Sequence, residues 1–392
     1  MTASMRILVI AMCDSVHTAR WVWQMQQCGI SVCLFPSTPH RRIHPQIRVA
    51  LRTSGSALVS MRRFDRWTAL PFGLLDLVVR KRLQSWRLRR LLQRESYDLV
   101  HLLETQHAGY LFLASVAKSL PRLNVALSVW GSDLIWFRDH KCHQDRIRKT
   151  LNCINLLFIE CNRDQFLARD LGFAGMVSQP MSAGGGVGSI KALEDEWVTA
   201  KRPSERRAIV VKGYTGFVGQ ARSSLKAIIQ NADLLQDFII HVYSCGLWMR
   251  LRIVFIRFKY SLNIHSYRKR RLTHDQVLAL FRQARVSLSL SLSDGLPGSF
   301  REAAWTGAFP IESVGSCIGE WAEPGRQVLL VNPTDINSAA DALRIAVETP
   351  DLVDQAWVMN YELAKQYSTE TTEVQMLNEY KRLNPRLTIR HQ

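Results

Sequence analysis

Short, wholly apolar runs recur along this chain, separated by segments whose apolar residues repeat at helical spacing. Ile7 to Ala11 is the first such run, within a strand expected from Arg6 to Met12. Trp21, Met25 and Cys28 then share one helix face, and Gly29 stands where a helix should stop. Ile30 to Phe35 reads as the next strand. Leu99 to Leu103, Val125 to Val129 and Leu156 to Glu160 repeat the pattern, the last followed by a helical stretch ending at Gly172. Strands alternating with helices imply parallel βαβ units and an open, doubly wound α/β sheet.

The periodicity stops between about Ser178 and Arg207, where MSAGGGVGS precedes a charged stretch and reads as an interdomain linker. Alternation restarts with Ala208 to Lys212, Phe238 to Tyr243, Asn263 to Tyr267, Val286 to Ser291, Phe309 to Val314 and Val328 to Val331. A helix is expected from Asp275 to Ala284, with Thr273 and Gln276 at capping-box spacing. The expected organisation is a domain over 1–180, a linker over 181–207, a second domain over 208–365, and a closing helix over 366–392 crossing back to the first domain. At about 150 residues per domain, two α/β halves account for the length. Such sheets bind ligands at the carboxyl ends of their strands, so the expected site is a cleft between the halves.

The most informative segment is Ser291 to Glu320, SLSDGLPGSFREAAWTGAFPIESVGSCIGE. A strand ends at Ser291, a turn with Gly295, Pro297 and Gly298 follows, and a helix begins near Ser299. The free N–H groups of that helix start, with its dipole, make an anion seat. Asp294 ends the strand and Glu302 sits on the first helical turn, so both carboxylates can face one ligand. The purely structural alternative is also open. Ser299 and Glu302 have capping-box spacing, and Asp294 suits an ordinary turn.

Asp294-x7-Glu302 within SDGLPGSFREAAWTGAFPI resembles the E-x7-E segment of retaining glycosyltransferases of the GT-B fold, family 4. The chain keeps that pattern's Gly295, Pro297, Glu302, Ala303, Gly307 and Pro310, and places Asp294 where the family has Glu. Glu320, Gly325 and the VNPTD stretch from Val331 to Asp335 continue the family's order. Upstream, DSVHTARWVWQMQQCGISV, DLVHLLETQHAGY and LSVWGSDL are similar to segments of the same enzymes. The resemblance runs in order through nearly the whole chain and implies GT-B architecture, two Rossmann-like domains facing across a cleft.

It further implies a nucleotide-sugar donor, UDP- or GDP-linked, held by the second half. Glu302 would bind the ribose hydroxyls, for which a carboxylate acceptor is apt. Gly295, Leu296, Pro297, Gly298 and Ser299 would line the donor, and Asp294 would lie beside its sugar. The family neutralises the diphosphate with two cations from the loop after the first strand of that half. Lys212 and Arg222 are the matching residues here, the alternative being solvated surface cations. Retention is attributed to front-face attack, the leaving diphosphate helping to take the acceptor's proton. Many relatives carry V-H-x-H in the first half. This chain has Val100-His101-Leu102-Leu103, so His107 is the candidate replacement for the second His, with Glu104 nearby. Asp14 and Ser15, after the first strand, and Asp133, after Val125 to Val129, are the candidate acceptor contacts.

No D-x-D motif occurs, which agrees with a reaction using no metal and no other cofactor. Lys plus Arg number 51 against 33 Asp plus Glu, a net charge of +18 that implies anionic partners. Val79 to Arg94 carries Arg80, Lys81, Arg82, Arg87, Arg89, Arg90 and Arg94 with no acid, and Trp248 to Tyr260 interleaves Arg with large apolar residues. Such stretches point to an anionic membrane surface, the alternative being helices with a solvated basic face. No helix-turn-helix, zinc-finger or RNA-binding signature supports a nucleic-acid partner. The eight cysteines show no C-x-x-C pair and read as reduced. With no signal peptide and no run of 18 uncharged apolar residues, the expectation is a cytoplasmic protein, peripheral at the inner face of the cell membrane. The expected activity is sugar transfer from a nucleotide-sugar to a glycan or lipid-linked acceptor in polysaccharide biosynthesis. The alternatives are an impaired relative acting as a scaffold, or a GT-B sugar-nucleotide epimerase.

Overall fold

A computed structural model describes residues 5–38, 43–51, 57–58, 82–116, 123–269 and 271–385. Two compact units are present: Met1–Gly186 together with Thr369–Gln392, and Val187–Ser368.

The first unit holds a parallel sheet of β1 (Arg6–Ala11), β2 (Ser31–Pro36), β3 (Ala57–Leu58), β4 (Leu99–Leu103), β5 (Val125–Ser128), β6 (Leu156–Phe158) and β7 (Met176–Val177). The strand order is β3-β2-β1-β4-β5-β6-β7, so the winding reverses between β1 and β4. Leu8 pairs with Cys33 on one side and with Val100 on the other. Helices cover both faces, which is why the strand residues Ile7 to Ala11 and Leu99 to Leu103 are buried without polar alternation. The closing helix Thr369–Leu383 adds Met376, Leu377 and Tyr380 to the core around Ile7, Val9 and Trp21. Its Tyr380 hydroxyl lies 2.6 Å from His101 Nδ1 on β4, and His101 Nε2 lies 2.9 Å from the Ser128 hydroxyl. Complete burial holds the His101 pKa down at about 3, so this imidazole is a neutral core group.

The second unit holds β8 (Ala208–Lys212), β9 (Ile239–Cys245), β10 (Ile264–Arg268), β11 (Ala284–Ser289), β12 (Phe309–Ser313) and β13 (Leu329–Val331). Its order is β10-β9-β8-β11-β12-β13, again all parallel, with the reversal between β8 and β11. Both units are therefore doubly wound α/β sheets.

The stretch expected as a linker, 181–207, differs from a plain tether. Ile190–Thr199 is a helix, capped by the Ser189 hydroxyl accepting from Ala192 N–H at 3.2 Å. Leu193 is buried in the second unit's core, and Trp197 stacks on Trp357 at 4.5 Å between ring centres. The preceding glycine run hides these anchors from a periodicity argument. Cys13, Cys28, Cys33, Cys142, Cys153 and Cys245 are free thiols. Among the described residues, no helix is long and apolar enough to cross a membrane.

Candidate functional site

In the second unit, β8 and β11 are neighbours where the sheet's winding reverses, and ligands of open α/β sheets bind at such points. Lys212 ends β8, and Asp294 lies in the loop between β11 and the helix Gly298–Thr306. Lys212 Nζ stands 3.9 Å from Asp294 Oδ2, with about a quarter of each side chain exposed (26% for both). The two loops are zipped together: Gln220 N–H donates to Leu290 O at 2.9 Å, and Leu292 N–H to Val218 O at 2.8 Å. Gly219 is tied to this packing, because a Cβ there would meet the Tyr214 carbonyl oxygen at 2.3 Å. The sequence thus fixes Lys212 against the aspartate through backbone pairing rather than through long side chains.

These residues border a pocket of about 260 Å³, lined by Lys212, Tyr214, Gly219, Ser244, Lys269 and Asp294 among others. Ser244 occupies positive φ (60°), strain of the kind that gathers at functional sites. Lys269, just past β10, has its ammonium 5.3 Å from the centre of the Tyr214 ring. Two ammonium groups against one carboxylate leave the pocket cationic. Arg222 is not part of it. This arginine is exposed on the first turn of the helix Ala221–Gln230 and does not line the pocket. The pocket's second ammonium is that of Lys269, which the sequence conceals in an unremarkable basic run, Arg268 to Arg271.

The capping-box alternative for Ser299 and Glu302 does not form. Pro297 is the N-cap residue without a side-chain cap, Gly298 opens the helix, and the Ser299 hydroxyl lies 2.8 Å from Ser289 Oγ. Glu302 Oε1 lies 3.5 Å from His274 Nδ1, at the start of the helix His274–Gln283. Leu296 is buried in the core with Phe300, so its side chain serves packing, while the Gly295 carbonyl accepts from Cys317 N–H at 2.9 Å. A further acid, Glu312 on β12, is buried beside this group with Oε1 unpartnered. Burial, aided by the charges of Asp294 and Glu302, pushes its pKa up to about 8, against the opposing pull of Lys212 and a hydrogen bond from Ser299. Only its strand register, not its sequence context, signals its place here.

In the first unit, Glu104 follows β4 with φ of 77°, a conformation that a side chain adopts at a cost. Its carboxylate accepts from His107 N–H and, at 3.1 Å, from Ala108 N–H, capping the π-helical turn Thr105–Gly109. The other oxygen lies 3.0 Å from His107 Nδ1. His107 thus has an oriented ring on a partly exposed side chain. Asp133 is buried, and its Oδ2 accepts from Thr105 N–H at 2.9 Å and from Trp130 N–H at 3.2 Å. Burial first, then the Glu104 charge, raises its pKa well above the usual carboxylate range. Ser15 caps the helix Val16–Gln27, accepting from His17 N–H at 3.2 Å. Asp14 precedes it, half-buried, where its charge opposes the lowering of the His44 pKa by burial and by Arg20.

Residues 6–160 match the model of the glycosyl transferase 4-like family. The sucrose-phosphate synthase of Thermosynechococcus elongatus has a similar structure, with a TM-score of 0.65 at 14% identity over 97% of this chain and 99% of that one. The chain has the GT-B fold. Anabaena HepE, solved with UDP, aligns with this GT-B chain at a TM-score of 0.62 and 14% identity, covering 95% and 99% of the two chains. A UDP-forming trehalose-phosphate synthase of Burkholderia xenovorans, solved with glucose-6-phosphate, gives 0.65 at 12% identity, covering 96% and 100%. No curated protein sequence matches significantly.

Proposed function

We propose that this GT-B chain transfers a sugar from a nucleotide-sugar, UDP- or GDP-linked, to a glycan or lipid-linked acceptor with retention and without a metal. The observation that carries the reading is the Lys212–Asp294 pair at the switch point of the second sheet, bordering a pocket with a second ammonium, Lys269. The pocket's size and charge suit a diphosphate rather than a whole sugar nucleotide. In the proposed reaction the bond from the anomeric carbon to the diphosphate oxygen breaks, and the acceptor oxygen bonds to that carbon on the same face. The acceptor's proton passes to the departing phosphate. Lys212 and Lys269 neutralise charge as it develops on the leaving group, the task a metal performs elsewhere. Glu302 accepts from the ribose hydroxyls, with His274 beside it holding the carboxylate. Asp294 lies by the donor sugar. On the acceptor side, the Glu104–His107 pair and Asp14 serve hydroxyl recognition, Glu104 fixing the imidazole.

UDP in HepE and in the product of the trehalose-phosphate synthase favours uridine as the donor base. The test is a nucleoside diphosphate panel followed by NMR of the product. One diphosphate should raise the melting temperature, activity should survive EDTA, and the new linkage should keep the donor's anomeric configuration. An inverted linkage defeats retention. Loss of activity in EDTA, restored by Mg²⁺ or Mn²⁺, defeats metal independence.

A further inference from the structure

The helix Leu247–Lys259, between β9 and β10, is apolar on two opposite faces. Met249, Ile253 and Ile256 are buried in the core of the second unit. Trp248, Leu251, Phe255 and Phe258, at three- and four-residue spacing, share the other face, flanked by Leu247 and Val254. All six are exposed, Trp248 by 82% and Phe258 by 78%. An outward stripe of six large apolar side chains on one helix marks an interaction surface rather than scattered exposure.

Charge decides what covers it. Arg252 and Lys259, seven residues apart, run along one border of the stripe, and Arg250 and Arg257, also seven apart, run along the other. The helix has no acid, and among the described residues none of these four cations pairs with a carboxylate. A second copy of this face would set like charges against like. A nucleic acid would satisfy the cations and leave six apolar side chains in water. An anionic bilayer satisfies both, taking the aromatic and aliphatic groups below the headgroups and the guanidinium and ammonium groups among them. The basic helix Arg82–Arg94 of the first unit makes the contrast. Leu88 and Leu92 are buried, and its one exposed large apolar residue, Trp86, lies under Arg90 at 4.6 Å. Of its described arginine side chains, Arg90 and Arg94 are exposed and Arg87 and Arg89 half-buried. Arg80 and Lys81 lie outside the described residues.

We infer that the outward face of Leu247–Lys259 docks this protein on an anionic lipid bilayer. The surface uses no residue assigned above to sugar transfer, so it stands or falls independently of that reading.

The test is co-sedimentation with vesicles of phosphatidylcholine alone or mixed with phosphatidylglycerol. The protein should bind the mixed vesicles, release in high salt, and ignore the neutral ones. Trp248→Glu with Phe258→Glu should lower the partition coefficient ~10-fold or more. Both sites are exposed, so its melting curve and nucleotide binding should stay native. Lys212→Ala should bind vesicles as the native protein does. The inference is overturned if the native protein ignores anionic vesicles, or if the doubly substituted folded variant binds them normally. It is overturned equally if the native protein dimerises through this helix and the variant is monomeric, or if the surface prefers single-stranded RNA to vesicles.

Discussion

Two pairs of neighbouring strands, β4 and β5 in the first unit and β8 and β11 in the second, end in different ways. After β4 and β5, the acids of the first unit turn inward onto the backbone. Glu104 holds two N–H groups of the π-helical turn along with the His107 ring, and Asp133 holds the N–H groups of Thr105 and Trp130. After β8 and β11, the acids of the second unit face side chains at a pocket's edge: Asp294 beside the Lys212 ammonium, and Glu302 beside the His274 imidazole. Carboxylates bound to amides shape loops, whereas carboxylates set against cations at a pocket keep charge available to a ligand. On the proposed function, leaving-group chemistry belongs to the second unit. The contrast leaves the first unit with a braced rim on which the His107 side chain is partly exposed.

The sharpest way to break this contrast is to delete the charge that defines it. Lys212→Ala should lower turnover by ~10²–10³, since one cation at a developing oxyanion in a water-poor site is worth about 3–4 kcal/mol. The ground-state diphosphate already carries part of the charge, so donor affinity should fall by less. Steady-state kinetics beside calorimetric donor binding separates the two. Equal losses would make Lys212 a binding residue only.

Glu302→Gln comes next, with a donor affinity loss of ~10-fold or more as ribose hydroxyls lose a charged acceptor. Unchanged affinity in a folded variant would leave Glu302 a partner of His274 and nothing more.

Two buried titratable groups, one in each unit, respond to pH in opposite senses. His101 sits at about 3 when folded against an ordinary 6.5, so its contribution is intact above pH 6.5 and is lost as pH falls toward 3. Glu312 sits at about 8 against 4.5, so its contribution is intact below pH 4.5 and is lost as pH rises through 8. Hydrogen exchange should show the strands around His101 loosening in acid and those around Glu312 loosening as pH rises. His101→Gln and Glu312→Gln should each flatten one limb, by a few degrees in melting temperature. If neither substitution flattens its limb, these groups do not set the pH response.

Much of this was legible beforehand because strands buried on both faces are written as unbroken apolar runs. β4 and β8 lie at the expected residues, and most other strands differ by one or two positions. Two-residue strands such as Met176–Val177 leave no periodicity to read. Local chemistry was legible too: Asp294 through Glu302 is one turn and the first half of a helix. Long-range chemistry was not. Glu312 reaches the group only through the β11–β12 register, which pairs it with Ser289, and Lys269 arrives from β10. In the first unit, nothing in the sequence around Glu104 announces a positive φ or a π-helical turn.

The smallest effect tests that last point directly. Sequence order pairs Lys212 with Arg222, because both flank the loop after β8, and on that reading their alanine variants should fail alike. The structure separates them. Gln220 N–H is pinned to Leu290 O, Arg222 points from the following helical turn toward solvent, and the pocket wall is completed by Lys269. An exposed cation beyond the wall acts on a diphosphate through water and salt, and its field fades within a Debye length of about 8 Å at physiological ionic strength. Arg222→Ala should therefore keep turnover within about 3-fold of native, most of the change vanishing in high salt. Lys269→Ala, acting inside the pocket, should lower turnover ~10-fold or more and keep that deficit in salt. The double variant with Lys212→Ala sharpens the result: two cations on one leaving group should show non-additive losses, whereas Arg222→Ala should simply add. A loss at Arg222 as large as at Lys212, with Lys269→Ala near native, would return the second cation to the loop after β8 and make Lys269 a surface residue stacked on Tyr214.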